Sequence, residues 1–422
     1  MSTQTILALV ILVAIVYMFF SPRFPNAVTA TVGALAMGLA GFVPFKTMFN
    51  SYSSSSLVLM IGMMIVGGGI FQTGFAGWLG KKLVKVTGSS EKNIIFIAII
   101  SGWVMSSVCS GSATMMILLP IFCSISLVTK VSMSKIMLPF NTGVGFGSFM
   151  TLAGSGMCSA TAAILIDYGY EGWTFFEPMK YGLPKAIVGT IVIMLIGYKL
   201  LPSTYIEPKM SSSENGGESL LPDVLSGKMK LSAMILLLTI VGMVLNLEIC
   251  PMYICAAIGA MAMVLTGCMT QKQMFQSINW NAVFLLGGMT VVAKGIEASG
   301  LGQMLADGVL GIVGTNVSPV VMVIVIYMLT TLVTQFMSNN AAAALMTPIA
   351  IVVAQTIGCD PRALAAAALF GSSNPLSVMA TPNMAIVQEY GNYSPMDIFK
   401  FGVLRTVYGV AVAAVFIPLG WL

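Results

Sequence analysis

Shifted by 226 residues, the chain falls on its own pattern. Met48-Phe49 meets Met274-Phe275, Gly62-Met63 meets Gly288-Met289, Gly69-Ile70 meets Gly295-Ile296 and Gly74 meets Gly300. After two residues of slippage, Ser110 meets Ser338, Ala113 meets Ala341 and Pro120-Ile121 meets Pro348-Ile349. Further on, Tyr168-Gly169 pairs with Tyr390-Gly391 and Lys180-Tyr181-Gly182 with Lys400-Phe401-Gly402. Apolar segments coincide easily, but glycines and prolines in order do not, so the chain holds two copies of one unit. Residues 1–202 form the first repeat and 231–422 the second. Residues 203–230 connect them, and the stretch Ser211-Ser212-Ser213-Glu214-Asn215-Gly216-Gly217-Glu218 has the composition of a flexible polar linker.

What each unit folds into follows from how little charge it carries. Charged residues make up 8% of the chain and hydrophobic ones 57%, against about 25% charged in a soluble domain. Such a chain cannot clothe itself for water. Its apolar runs, among them Ile6–Phe20, Leu57–Phe71, Ile187–Leu201 and Leu231–Leu245, approach the roughly 20 residues that span a bilayer as helix. None alternates as a barrel strand would. The first run lacks the basic start and A-x-A site of a signal peptide and reads as a mature span. The expected fold is therefore an all-α polytopic membrane protein.

Spans are expected at about 5–20, 27–45, 56–76, 135–168 and 181–201, and again at 231–247, 252–270, 281–301, 362–390 and 399–421. Residues 93–128 and 318–356 are long enough to go in, break and return, and their polar centres make them re-entrant hairpins. Five spans per repeat is an odd number, so the repeats are inverted to one another. With the N-terminus outside, fourteen of the 19 basic residues face the cytoplasm, Lys135 and Arg405 among them. Lys46, Lys180, Lys185, Lys294 and Arg362 face out. Both termini then lie outside and the 203–230 linker is cytoplasmic.

The chemistry is expected in four interruptions at membrane depth, where non-helical backbone survives only if it is buried in protein or lines a wet cavity. Two are hairpin tips, at Ser110-Gly111-Ser112-Ala113-Thr114 and Ser338-Asn339-Asn340-Ala341. Two are breaks in the next span, at 151–156 and 377–383, where Gly154 and Gly156 permit a break and Pro382 forces one. Helix N-termini exposed there suit an anion, and unwound carbonyls suit a hard cation such as sodium. Lys294 and Glu297, one turn apart, read as an interfacial ion pair. Asp167, Glu171 and Glu177 read as solvated loop residues. No acidic residue sits deep in a span like a proton carrier, which favours sodium coupling or anion exchange. The seven cysteines form no C-x-x-C pair and read as small apolar packing residues. The scattered basic residues exclude nucleic-acid binding.

The tips, placed after a hairpin arm and before Pro120 or Pro348, resemble the paired Ser-Asn-Thr motifs of the divalent anion:sodium symporter (DASS) family. Ala380-Thr381-Pro382-Asn383 is similar to that family's second conserved loop. The similarity covers nearly the whole chain. It implies a substrate anion held by Ser110, Ser112, Ser338, Asn339, Asn340, Thr381 and Pro382. It implies one sodium near Ser106, Ser110, Gly111 and Gly154, and a second near Thr334, Ser338, Asn339 and Ala380. Ser106 and Thr334 each stand one helical turn before their tip serine. It also implies a homodimer in a bacterial inner membrane. A scaffold of about 1–50 and 231–275 would stay still while a transport part, about 55–201 and 281–422, moves as an elevator. The chain departs from the family at the first tip, Ser-Gly-Ser, at the second, Ser-Asn-Asn, and at the first break, which lacks an asparagine.

The function expected is secondary transport of a small divalent anion, a di- or tricarboxylate or sulfate, coupled to sodium and without an organic cofactor. A sodium-independent anion exchanger and an oxyanion efflux permease resembling arsenite carriers share the same architecture. An enzyme is not expected. The chain has no histidine, the commonest general base, and no paired intramembrane carboxylates.

Overall fold

The computed structural model describes residues 3–21, 23–84, 90–107, 111–152, 154–202, 226–245, 249–313, 318–376 and 382–422. The described residues are built from helices, and the same order occurs twice. The first half runs α1 (Thr3–Phe20), α2 (Asn26–Leu39), α3 (Ser55–Gln72), α4 (Phe75–Val84), α5 (Glu91–Ser106), α6 (Gly111–Thr129), α7 (Met133–Gly147), α8 (Gly156–Asp167) and α9 (Met179–Leu195). The second runs α10 (Gly227–Leu245), α11 (Met252–Leu265), α12 (Trp280–Ala298), α13 (Leu301–Val313), α14 (Pro319–Val333), α15 (Asn339–Ile357), α16 (Pro361–Gly371), α17 (Pro382–Gly391) and α18 (Pro395–Trp421). Short helical turns, Phe45–Met48 and Gln271–Ser277, precede α3 and α12.

Helix pairs flank both expected tips, and both expected broken spans are interrupted. α5 ends at Ser106 and α6 begins at Gly111, with 108–110 outside the described residues, and α14 and α15 flank 334–338. The break between α7 and α8 covers 148–155. The second begins earlier than expected, at Ser372, because α16 ends at Gly371. Two helices were not foreseen, α4 and α13. At 10 and 13 residues they are too short to span, so a search for spanning-length apolar runs passes over them.

Side-chain caps start several helices. Ser54 accepts from Leu57 N and Asn279 from Ala282 N at the corresponding starts of α3 and α12. Ser155 accepts from Met157 N, and Ser338 from Ala341 N, at the starts of α8 and α15. Each satisfies an N–H that the helix itself cannot, worth about 1 kcal/mol.

Among the described residues, six helical stretches are long and apolar enough to cross a membrane. The outward faces are apolar too. Leu237, Leu238 and Leu265 are exposed by 61%, 62% and 86%, a surface suited to lipid rather than water.

The two halves are sewn together reciprocally. α3 packs on α11, and α12 packs on α2. A β-carbon on Gly62 would stand 2.8 Å from the carbonyl carbon of Ala256, and one on Gly288 would stand 2.6 Å from that of Ala30. Ala30 and Ala256, like Gly62 and Gly288, are 226 residues apart, so one contact is made twice with the halves exchanged. Within each half the pattern repeats: Gly143 abuts the Ile99 carbonyl, and Gly371 abuts that of Tyr327. Small residues allow such close helix approach in membranes, where apolar burial gives no drive to associate. Two groups of helices result. α1–α3 pack with α10–α12. The hairpins, broken helices, α9 and α18 pack with one another, and the groups meet mainly at α3 on α8 and α12 on α15.

Candidate functional site

Four helices begin beside one cavity of about 550 Å³, within the range of small-molecule sites. α6 presents Gly111 and Ser112, and α8 presents Ser155 and Gly156. α15 presents Ser338, Asn339 and Asn340, and α17 presents Asn383. All four N-termini thus turn the positive end of the helix dipole toward one space. Asn141, Val144, Gly145 and Ser148 line it from one face of α7, at helical spacing. Its described lining includes no acidic residue. The rim residues Phe71, Gln72, Gln276 and Asn279 are exposed, so the cavity opens at that end.

The two repeats touch each other across this space. Ser112 Oγ donates to Asn383 Oδ1 at 3.2 Å, joining the first tip to the second break. Asn26 Nδ2, at the start of α2, donates to Ser338 Oγ at 2.8 Å. The second tip is therefore tied to the α1–α3 group by a single side-chain bond.

Oxygen atoms gather behind each tip. Ser106, fully buried, lies 3.2 Å from Ser148, hydroxyl to hydroxyl. Gly154 sits against the Gly147 and Ser148 carbonyls, at the C-terminal end of α7. In the second half, Thr334 Oγ1 is 2.8 Å from Asn339 Oδ1 and 2.9 Å from the Ser372 carbonyl. Both clusters offer hard, uncharged oxygens of the kind sodium takes.

The structure thus brings together Ser106, Gly111, Ser112, Gly154, Thr334, Ser338, Asn339 and Asn340. Ser110, Ala380 and Thr381 lie outside the described residues, and Pro382 is known by its backbone as the first residue of α17. Ser148, Ser372, Ser373, Asn141 and Asn383 were not singled out as ligands from the sequence. The first four sit within helices or at their ends, where a lone serine or asparagine gives no signal.

Five expectations about charge are corrected. Lys135, Lys185 and Arg405, assigned to one or the other aqueous side, are 8%, 3% and 4% exposed inside α7, α9 and α18. A basic residue near the end of an expected span looks as if it reaches water, because nothing local shows that neighbouring helices cover it. Lys294 bonds Asp167 at 3.4 Å rather than pairing with Glu297, since Asp167 ends α8 beside α12. Glu177 is not solvated. It is 8% exposed and accepts from Trp421 Nε1 at 3.0 Å, Lys180 Nζ at 3.2 Å and Thr174 N at 2.9 Å. Glu171 meets Arg362 at 3.6 Å. Cys250 and Cys255, expected only to pack, have their sulfurs 3.2 Å apart.

The fold has known relatives. A transporter of Neisseria gonorrhoeae, MtrF, described as illuminating a class of antimetabolite efflux pumps, superposes over 98% of this chain and 95% of its own. The TM-score is 0.63 at 14% identity, which speaks to fold alone. In sequence, an uncharacterised transporter of Synechocystis is 32% identical over 183 residues, 42% of this chain and 29% of that protein. Sodium/sulfate cotransporter 1 of Chlamydomonas reinhardtii is 29% identical over 182 residues, 41% of this chain and 20% of that protein. The chain thus spans less than a third of the length of these two relatives. Residues 7–371 match the citrate transporter family, a family of transporters and not of enzymes. With its apolar spans and a match over most of its length, the chain is an integral membrane protein that belongs to the citrate transporter family.

Proposed function

We propose that this protein carries a small divalent anion, of the citrate or sulfate kind, across a membrane in company with sodium. The observation that carries this reading is the convergence of four helix N-termini on a cavity whose described lining holds no acidic side chain. Such a place favours negative charge before any ligand arrives. The family's substrate and the sodium/sulfate relative agree with it. Ser112, Ser338, Asn339 and Asn340 would hold the anion, with Ser110, Thr381 and Pro382. The two oxygen clusters would hold sodium, with Ser106, Gly111 and Gly154 at the first and Thr334, Asn339 and Ala380 at the second. Sodium charge beside a divalent anion offsets repulsion among its oxygens and ties one ligand's binding to the other's.

The packing supports an elevator. The reciprocal contacts make α1–α3 and α10–α12 a continuous frame, while the hairpins, broken helices, α9 and α18 form a separate body around the cavity. We draw the scaffold to include α3 and α12, past the boundaries at 50 and 275 that the sequence suggests. Inverted repeats, a homodimer joined through that frame and a bacterial inner membrane complete the reading. With both termini outside and the 203–230 linker cytoplasmic, the open rim at Gln72 and Gln276 faces the cytoplasm, which makes this the inward-facing form.

The test is uptake of labelled citrate and sulfate into proteoliposomes. An inward sodium gradient should drive accumulation, and replacing sodium with potassium should abolish it. Uptake indifferent to sodium would remove the coupling. Absence of uptake of any divalent anion under every gradient would remove the transport assignment.

A further inference from the structure

The repeat relates the two buried cations. Lys180-Tyr181-Gly182 pairs with Lys400-Phe401-Gly402, and three residues on, in the same register, Lys185 pairs with Arg405. Lys185 lies within α9 and Arg405 within the spanning-length α18, and each is almost wholly buried. An ionised side chain in such a place is costly unless it finds partners, and the two solve this differently.

Lys185 is satisfied by the protein. Its ammonium donates to Asn374 Oδ1 at 3.3 Å and lies 5.4 Å and 5.7 Å from the ring centres of Tyr181 and Phe149. Asn374 is itself held by donating to Tyr327 Oη at 2.8 Å.

Arg405 is not satisfied. Of its five N–H donors, one makes a long 3.5 Å bond from Nη2 to the Ser373 carbonyl. Its buried Nε and the buried Tyr408 hydroxyl one turn on lie close enough to interact, yet neither makes a well-formed hydrogen bond, and no acidic residue pairs with Arg405 among the described residues. It does have an opening, because it lines the cavity into which the four helix N-termini point. Gly145 of α7 stands next to it, where even an added β-carbon would come no nearer than 3.7 Å to Nη2. No side chain on Gly145 stands between that part of α7 and the guanidinium.

We propose that Arg405 is the fixed countercharge of the substrate site, taking two oxygens of one carboxylate or sulfate-like group while the hairpin tips and breaks hold the rest of the anion. A planar guanidinium with unused donors matches such oxygens in pairs. The repeat supplies two equivalent cations and spends one on structure, which leaves the site with a single formal charge on one side. A divalent anion gains from that charge more than a monovalent one does. The proposal rests on the anion-transport reading of the cavity.

The test uses the purified full-length protein, Arg405→Gln and Arg405→Lys, with sulfate and with monovalent nitrate as probes. The readout is the anion-dependent rise in melting temperature in sodium buffer. Wild type should be stabilised by sulfate and less so by nitrate. Arg405→Gln should bind sulfate at least about tenfold more weakly and lose the preference for sulfate over nitrate, while melting without anion as high as wild type or higher. Arg405→Lys, which keeps the charge, should retain part of the preference. A merely structural arginine would lower the melting temperature without altering the sulfate-to-nitrate ratio. Should Arg405→Gln fold and keep wild-type sulfate affinity and preference, the proposal is overturned and the anion reading stands. Should Arg405→Gln fail to fold, an Arg405→Lys protein with unchanged sulfate affinity and geometry-insensitive preference overturns it equally. A wild type that responds to no divalent anion overturns the reading beneath it.

Discussion

At the scale of single residues, the site is built from side chains that bind each other as well as any ligand. Asn339 is the clearest. It lines the cavity, begins α15 and shares the oxygen cluster of Thr334 and the Ser372 carbonyl. Asn339→Ala should weaken both the anion and the sodium response of the melting temperature, each by roughly five- to a hundredfold in apparent affinity, the equivalent of about 1–3 kcal/mol. An unchanged sodium response would take Asn339 out of the cation site. Asn374→Leu tests a different role. It would leave Lys185 and Tyr327 without their shared partner in the interior, costing about 2–3 kcal/mol, read as a lower melting temperature in detergent without any change of anion preference. Of these residues the sequence showed Asn339, because a tip flanked by a hairpin arm and a proline is a local pattern. It did not show Asn374, Ser372 or Arg405, because their importance comes from neighbours 30 or more residues away.

At the scale of helices, the fold was legible wherever one element carried its own length and its own break. The arms of the hairpins, the broken spans and the pairing of the halves followed from runs, prolines and ordered glycines. The short α4 and α13 were not legible, since each is half-apolar and neither spans. Asp167 was misread for a related reason. Its meeting with Lys294 depends on α8 ending beside α12, and the chain carries no local sign of that. The reciprocal crossings make a definite expectation. At Gly62 and at Gly288 a methyl group would run into the facing backbone, so Gly62→Ala and Gly288→Ala should each cost about 1–3 kcal/mol. Because the two crossings are separate, the double variant should lose close to the sum. Melting curves of the three proteins measure it, and a double variant no worse than either single one would show that the crossings yield together.

At the scale of the whole molecule, orientation is what the fold leaves to be read from chemistry. Three of the basic residues in the balance, Lys135, Lys185 and Arg405, are buried and drop out, two from the fourteen assigned to the cytoplasm and one from the five assigned outside, so twelve against four still favours an external N-terminus. The turn bearing Cys250 and the turn bearing Cys359 are then both external. In intact cells, a membrane-impermeant maleimide should label a protein whose sole cysteine is Cys250. It should label one whose sole cysteine is Cys359 more slowly, because partial burial pushes that thiol up to about 11. Labelling of Cys250 only after the cells are opened would reverse the assigned orientation. The crossings of α3 on α11 and α2 on α12 have one more consequence. Both join residues of the first half to residues of the second, so either half made alone would lack its principal packing partners. Expressed as two separate polypeptides, 1–202 and 226–422, the halves should recognise one another and co-purify as a reassembled protein, a fragment complementation in which the peptide bond between them is dispensable.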